Sequence, residues 1–424
     1  MNEKYLDLSY IRLLKKYLWY TGFWPGEALG EHIPLYIKWH RIQIVVQNVI
    51  GFVGQAWYIV ENFTQMPFVV AGLLYIVASL TVLMAAKCSL TNFKGYQEII
   101  RKLLQEFHLI HHSRGGAYEK KIIAKVDKIS HYCTVYHMAI IFFIVLTFNG
   151  IPIFNSYKAG AFRGRNLSGM KLELAIYFRY PGFECLDYFY LLSFLNIYFT
   201  YIGAVAMFAI DAIVSAIIFQ IIGHILILKH DIENLPEPKR ETVVVFPHTG
   251  YEGHLGARVR LRLYDDEENK YIHNVLVGII KHHKYILGYV NEVSGFFGPT
   301  VGLNYMFHLV AGCVLLLECI RCDQDVLLRN LTLVGVSLVN LAVHSVTFEI
   351  VGSYSEQLID AVYSMPWESM DISNQKCMKL FLSRVQTPIR VTTMGVIPVG
   401  IQTMGAILRT SCTYCTFLVT VDEG

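Results

Sequence analysis

The sequence predicts an all-α membrane protein with seven transmembrane helices, its N-terminus cytoplasmic and its C-terminus extracellular, and long helices extending into the cytosol. Three observations predict it. Only 16% of the 424 residues are charged and 54% are hydrophobic, against roughly 25% charged in soluble domains. The apolar residues come in blocks of about 18 or more, enough to cross a hydrocarbon core at about 1.5 Å per residue. Lys and Arg concentrate in alternate loops, which sets orientation. The net charge of +3 is too small to argue for nucleic acid. Met1 to Tyr20 alternates charged and apolar residues, without the apolar core of a cleavable signal.

The chain reads as one domain over 1–424: a cytoplasmic arm at 1–40, helices 1–6 over 41–353, and an anchor segment with the last helix over 354–424. Spans are expected at about 41–60, 67–87, 132–153, 186–210, 293–320, 330–352 and 392–420. Tyr188 to Leu228 is almost continuously apolar, with Asp211 its only acid, and is about twice a bilayer thickness. No proline or glycine-rich turn breaks Phe189 to Gln220, which favours one long helix leaving the membrane over two packed spans. The amphipathic Tyr271 to Tyr289 leads into the apolar Val293 to Ile320, and reads as a cytoplasmic extension of the fifth helix.

The N-terminal arm, loop 2–3 and loop 4–5 are rich in Lys and Arg, whereas loop 1–2 has none and loop 5–6 only Arg321 and Arg329. Loop 3–4, with Lys158, Arg163, Arg165, Lys171 and Arg179, is the weak point of the pattern. Three N-x-S/T patterns, at Asn62, Asn166 and Asn330, all fall on the side the charges make extracellular, and Asn166 is the expected glycosylation site. A G-protein-coupled receptor, the alternative seven-helix reading, would have its N-terminus outside.

No hydrolase, P-loop, dinucleotide or zinc-protease motif is present, so no enzyme activity and no cofactor are expected. The nine cysteines include two C-x-x-C pairs, Cys319/Cys322 and Cys412/Cys415, without the further ligands a zinc site needs. The doublets His111-His112 and His282-His283 read as solvated cytoplasmic surface. Thr242 to Leu263, with Val243-Val-Val-Phe246, has no sequence-level account.

Several motifs together resemble the insect odorant receptor family. Arg384-Val-Gln386-Thr-Pro388 is similar to the R-x-Q-x-P that opens its last helix. Ala406-Ile-Leu-Arg-Thr-Ser411-Cys-Thr413-Tyr414 resembles its I-L-K-x-S-Y-S/T-Y signature, with Arg409 for the usual Lys. Lys281-His-His-Lys-Tyr-Ile286-Leu287 is similar to its H-x-x-I-L segment, and Gly22-Phe-Trp24-Pro25 to its G-x-W-P. Cys412 and Cys415 depart from positions often aromatic there. Loop 4–5 is shorter than that of the family's shared coreceptor, so the chain looks more like a divergent, ligand-tuned partner. The resemblance implies an odorant-binding subunit of a tetrameric, ligand-gated, non-selective cation channel in the dendritic plasma membrane of olfactory neurons. It implies coreceptor subunits as partners and a small volatile organic molecule as ligand.

At about 100° per residue, Thr403, Ala406, Thr410, Thr413, Phe417 and Thr420 share one face of the last helix, with Gln402 at its edge. A polar stripe in a membrane helix faces protein or water, or its threonines bond back to their own helix. The resemblance favours pore lining, with Phe417, Thr420 and Val421 at the outer gate and Asp422 and Glu423 at the mouth. Arg409 is expected beside the stripe, at an interface or vestibule. The family's pocket lies in the outer halves of helices two, three, four and six. That implies Val70, Leu74 and Tyr75 from the second; Phe143, Thr147 and Phe148 from the third; Phe189, Tyr190, Phe194 and Tyr198 from the fourth; and Val334, Leu338 and Asn340 from the sixth.

Overall fold

The computed structural model describes residues 6–62, 68–112, 115–162, 172–183, 185–239, 241–246, 257–321, 324–393 and 397–422. The helices are α1 (Ser9–Tyr20), α2 (Leu35–Asn62), α3 (Phe68–Leu90), α4 (Lys94–Lys102), α5 (Ala117–Lys158), α6 (Phe189–Glu233), α7 (Asp266–Arg321), α8 (Gln324–Tyr363), α9 (Ile372–Val385) and α10 (Ile401–Asp422). Among them α2, α5, α6, α7 and α8 are each long and apolar enough to cross a bilayer, and α3 joins α4 through a 68° bend. With the 22-residue α10 these make the seven expected spans.

The overlong fourth element is one 45-residue helix, about 67 Å at about 1.5 Å per residue. More than half of it therefore lies beyond a core of about 30 Å. It tolerates this because protein surrounds it: its most apolar stretch is 94% buried, against 22–39% for the other four spans. A helix apolar on every side belongs at the centre of a bundle, and α6 is that centre. The fifth element is likewise continuous, 56 residues from the cytosolic Asp266 to Arg321.

The cytosolic half is held by specific plugs. α1 buries Tyr10, Ile11, Leu14 and Leu18. The Tyr10 hydroxyl lies 2.7 Å from His108 Nε2, and Gln220 Nε2 donates to it at 3.3 Å. Gly22 has φ +74°, and a Cβ there would meet Arg41 Cβ and the Ile37 carbonyl at 2.9 Å. That turn drives Phe23 and Trp24 into the core, where Trp24 Nε1 donates to Glu31 Oε2 at 3.1 Å. The G-x-W-P motif is thus a clamp for the arm.

Two sequence expectations change, and two further segments gain a structural account. The last helix begins at Ile401 rather than near 392; Thr392–Thr393 (β3) and Ile397–Pro398 (β4) instead pair antiparallel. Pro398 cannot donate to a helical ladder, and the Glu349 carboxylate accepts from the Ile401 N–H at 3.1 Å, fixing the helix start. Thr242 to Leu263 contains a hairpin, Glu241–Phe246 (β1) with Ala257–Arg262 (β2), in the register Val243 to Arg260 and Val245 to Arg258. The histidine doublets are not simply solvated. His282 Nε2 lies 3.0 Å from Nδ1 of the buried His224, whose Nε2 donates to the Phe107 carbonyl at 2.7 Å, and His112 packs on the same ring. Burial and the neighbouring His282 hold His224 well below the ordinary histidine range. Lastly, Asn330 is fully buried and donates to Glu318 Oε2 at 3.0 Å. A glycan on this amide has no room in the folded helix pair, and Asn330→Gln should leave electrophoretic mobility unchanged with or without glycosidase. Asn166, the preferred acceptor, lies outside the described residues.

Candidate functional site

A cavity of about 470 Å³ opens among α2, α3, α5, α6, α7, α8 and the 172–183 segment. Helical phase decides which side chains reach it. On α5, Ile144 and Phe148 (i, i+4) face inward; on α6, Leu192, Leu195 and Phe199; on α8, Leu333, Val336, Ser337 and Asn340; on α3, Ile76, Val77, Leu80, Thr81 and Met84. The roof comes from Phe178, Tyr180 and Phe183. Tyr180 is latched to α2, its hydroxyl donating to the Ile50 carbonyl at 2.7 Å. A Cβ on Gly54 would come within 2.4 Å of that ring, so the close approach requires glycine.

The walls are mostly aliphatic and aromatic, with a few placed polar groups. Thr81 donates to Gln55 Oε1 at 3.1 Å, Asn48 to the Ile44 carbonyl at 2.8 Å and Thr200 to the Asn196 carbonyl at 2.7 Å. At the floor, His308 Nδ1 pairs with Ser337 Oγ at 2.8 Å. This is the composition of small-molecule sites, apolar with few convergent polar groups. Beside the floor lies a charge cluster. Lys87 Nζ donates to Asp211 Oδ1 at 2.6 Å, and His344 Nε2 stands 3.3 Å from Oδ2, all three side chains at most 7% exposed. That cluster ties α3, α6 and α8 together.

On α10, Ile407, Ser411 and Cys415 are buried, Ser411 donating to the Leu309 carbonyl of α7 at 3.3 Å. The opposite face is exposed. It carries Gln402, Ala406, Arg409, Thr413, Thr416, Phe417 and Thr420, all exposed. Thr403 and Thr410 are half-buried at its flank.

The model of the family described as 7tm Odorant receptor matches residues 65–412. The chain belongs to this odorant receptor family. Odorant receptor 10 of Aedes albopictus is 26% identical over 157 residues, 36% of this chain; the match spans 40% of that relative's length. The insect olfactory receptor OR5 from Machilis hrabei, at 14% identity, shares the fold with a TM-score of 0.74, over 99% of this chain and 100% of that one. The same receptor in complex with eugenol aligns at 0.73. The seven-helix architecture of this odorant receptor is therefore that of the insect receptors, and its helices make it a multi-pass membrane protein.

Of the pocket residues expected from sequence, the cavity brings together Phe148 and Asn340. Leu74 packs one turn away, with Ile59 and Ala78. Phe189 is buried in a separate cluster with Leu174 and Phe178, and the half-buried Val334 packs against another that includes Ile76 and Ala311. Tyr75, Phe143, Tyr190, Phe194 and Leu338 are 40–71% exposed on the outer surface. The Tyr190 hydroxyl bonds the Ala161 carbonyl, Tyr198 pairs with His40 at 2.9 Å, and Thr147 donates to its own helix at Phe143. The side chain of Val70, like that of Val421 on α10, lies outside the described set. Choosing the outer ends of the spans missed the inward phase by one residue on α5 and α8, and missed α2, α7 and the roof entirely. The isolated polar residues of α7 and α8, His308 and Asn340, were the signal available.

Arg409, expected beside the threonine stripe, lies on the exposed face of α10. Ser411 against α7 sets the rotation of the helix, turning the exposed face by about half of the 100° between successive residues from the centre of the threonine stripe. Thr413, Thr416 and Thr420 do bond back, to the carbonyls of Arg409, Cys412 and Thr416 at 2.9, 2.9 and 3.2 Å. Their hydroxyl oxygens still keep acceptor capacity outward.

Proposed function

We propose that this receptor is the odorant-binding subunit of a heteromeric, ligand-gated, non-selective cation channel, assembled as a tetramer with coreceptor subunits in the dendritic plasma membrane of olfactory neurons. The observation that carries the reading is the apolar cavity of about 470 Å³ between the helices, suited to a small volatile molecule held by dispersion and desolvation. Within it Phe148 and Asn340 are the proposed contacts retained from the sequence, joined by Ile144, Phe199, Met207 and His308. The exposed face of α10, with Gln402, Thr413, Phe417 and Thr420, supports a pore-lining role, with Val421 continuing that helix. The Lys/Arg distribution puts α10's C-terminus outside the cell, opposite to the arrangement of a G-protein-coupled receptor. Asn166 is proposed as the glycosylated asparagine.

The test is co-expression with a coreceptor, recording from excised patches without nucleotide. Eugenol, named with the solved receptor of Machilis hrabei, is the first probe. Ala204 is 2% exposed and lines the cavity. Ala204→Phe projects a ring into the space the ligand would occupy and should raise the half-maximal odorant concentration about tenfold, equivalent to about 1.4 kcal/mol, at unchanged surface expression. An unshifted dose–response would locate the ligand elsewhere.

A further inference from the structure

The cavity floor carries polar atoms with nothing to bond. Both Asn340 Nδ2 and Oδ1, and His308 Nε2, are buried without a hydrogen-bond partner, in side chains 1% and 3% exposed. Both residues line the cavity. They are also neighbours: His308 Nδ1 is held by Ser337 Oγ at 2.8 Å, and Ser337 lies one turn before Asn340 on α8, on the same helix face. Buried polar groups are nearly always paired, and an unpaired one destabilises the fold. Two residues that line the same cavity and are linked through Ser337 thus hold three polar atoms without partners, which a small rotation of either side chain would offer to a ligand's polar head. Gln47 Oε1, on α2, is the other unpaired atom of the lining.

We infer that the ligand is an alcohol or phenol whose hydroxyl seats on Asn340 and His308 while its apolar body fills the cavity. This rests on the cavity being the odorant site. The donor and acceptor count selects the class. Asn340 offers a free N–H donor and a free carbonyl acceptor, and a hydroxyl, which both donates and accepts, meets both. A ketone or ester only accepts and leaves Asn340 Oδ1 unpaired; a hydrocarbon leaves all three atoms unpaired. A carboxylate finds no Lys or Arg among the described residues that line the cavity, and the nearby Lys87 is already paired with Asp211 at 2.6 Å.

The test uses the full-length receptor co-purified with its coreceptor in lipid nanodiscs, with 1-octanol and octane as probes and affinity read from melting temperature against probe concentration. Asn340→Leu and His308→Phe should each weaken 1-octanol at least about tenfold, the discrimination a site built for a hydroxyl gains, and leave octane unchanged or tighter. Without ligand, Asn340→Leu should melt higher than the parent, because it removes an unpaired amide; an asparagine serving the fold would give the opposite. Octane binding in the variants reports that the cavity is intact. If 1-octanol affinity survives both substitutions, if both probes weaken equally, or if octane binds the parent and 1-octanol does not, the hydroxyl inference is overturned and the odorant cavity stands. If neither probe binds the parent, both fall.

Discussion

Lys87→Met will cost the receptor about 3–5 kcal/mol of stability, the usual result of removing one partner of a buried ion pair. Lys87 is 1% exposed, donates to Asp211 Oδ1 at 2.6 Å and also reaches the Met207 carbonyl at 3.4 Å. Without it the Asp211 carboxylate stays 5% exposed among the apolar residues of α6. His344 Nε2, 3.3 Å from Oδ2, is the remaining polar neighbour of that carboxylate. The double variant Lys87→Met with Asp211→Leu should recover most of the loss, since well-packed apolar replacements of a buried pair are often neutral. Melting temperature in nanodiscs and surface expression measure both. A single variant no worse than the double would show that the pair contributes no net coupling between α3 and α6.

That pair also marks how far the sequence could be read. Asp211 stands out as the lone acid in a long apolar stretch, and Lys87 is the single charged residue of α3. Two lone opposite charges in neighbouring spans call for each other, yet nothing in one sequence fixes their depth or facing. The architecture was legible because its cause is local. Apolar block length sets span number, and the unbroken run from Phe189 to Gln220 required a helix longer than the bilayer. The inward faces were not legible, because on helices whose lipid-facing and protein-facing sides are both apolar, periodicity carries little phase information. Phe143 and Phe148 are chemically alike, but the first is 45% exposed and the second lines the cavity. The same holds for α10, where the threonine pattern suggested one rotation and the packing of Ser411 against α7 fixed another. Buried histidine contacts such as His224 with His282, 58 positions apart, depend on helix pairing that no spacing rule supplies.

Arg409→Gln will raise the unitary cation conductance of the proposed heteromeric channel. Arg409 lies among the exposed residues of α10, aligned with Gln402, Thr413 and Thr420, while the buried face is spent on α7 and α8. A charge at mid-helix must meet water or a partner, and this chain offers it none among the described residues. If the face lines the permeation path, a cation passing about 6 Å away at an effective dielectric of about 20 is opposed by about 3 kcal/mol, reduced further by pore water. An increase of about two- to tenfold on neutralisation fits that range, each 1.36 kcal/mol being tenfold in rate. One arginine in a ring of otherwise uncharged subunits leaves a passable barrier; four around one axis would not. A homomeric assembly of this receptor should therefore conduct cations poorly, and Arg409→Gln should improve it more than it improves the heteromer. Modification of Thr413→Cys by a charged methanethiosulfonate reagent reports independently whether the face is wetted. Conductance unchanged by Arg409→Gln, with Thr413→Cys still modified, would place Arg409 at a subunit contact outside the ion path.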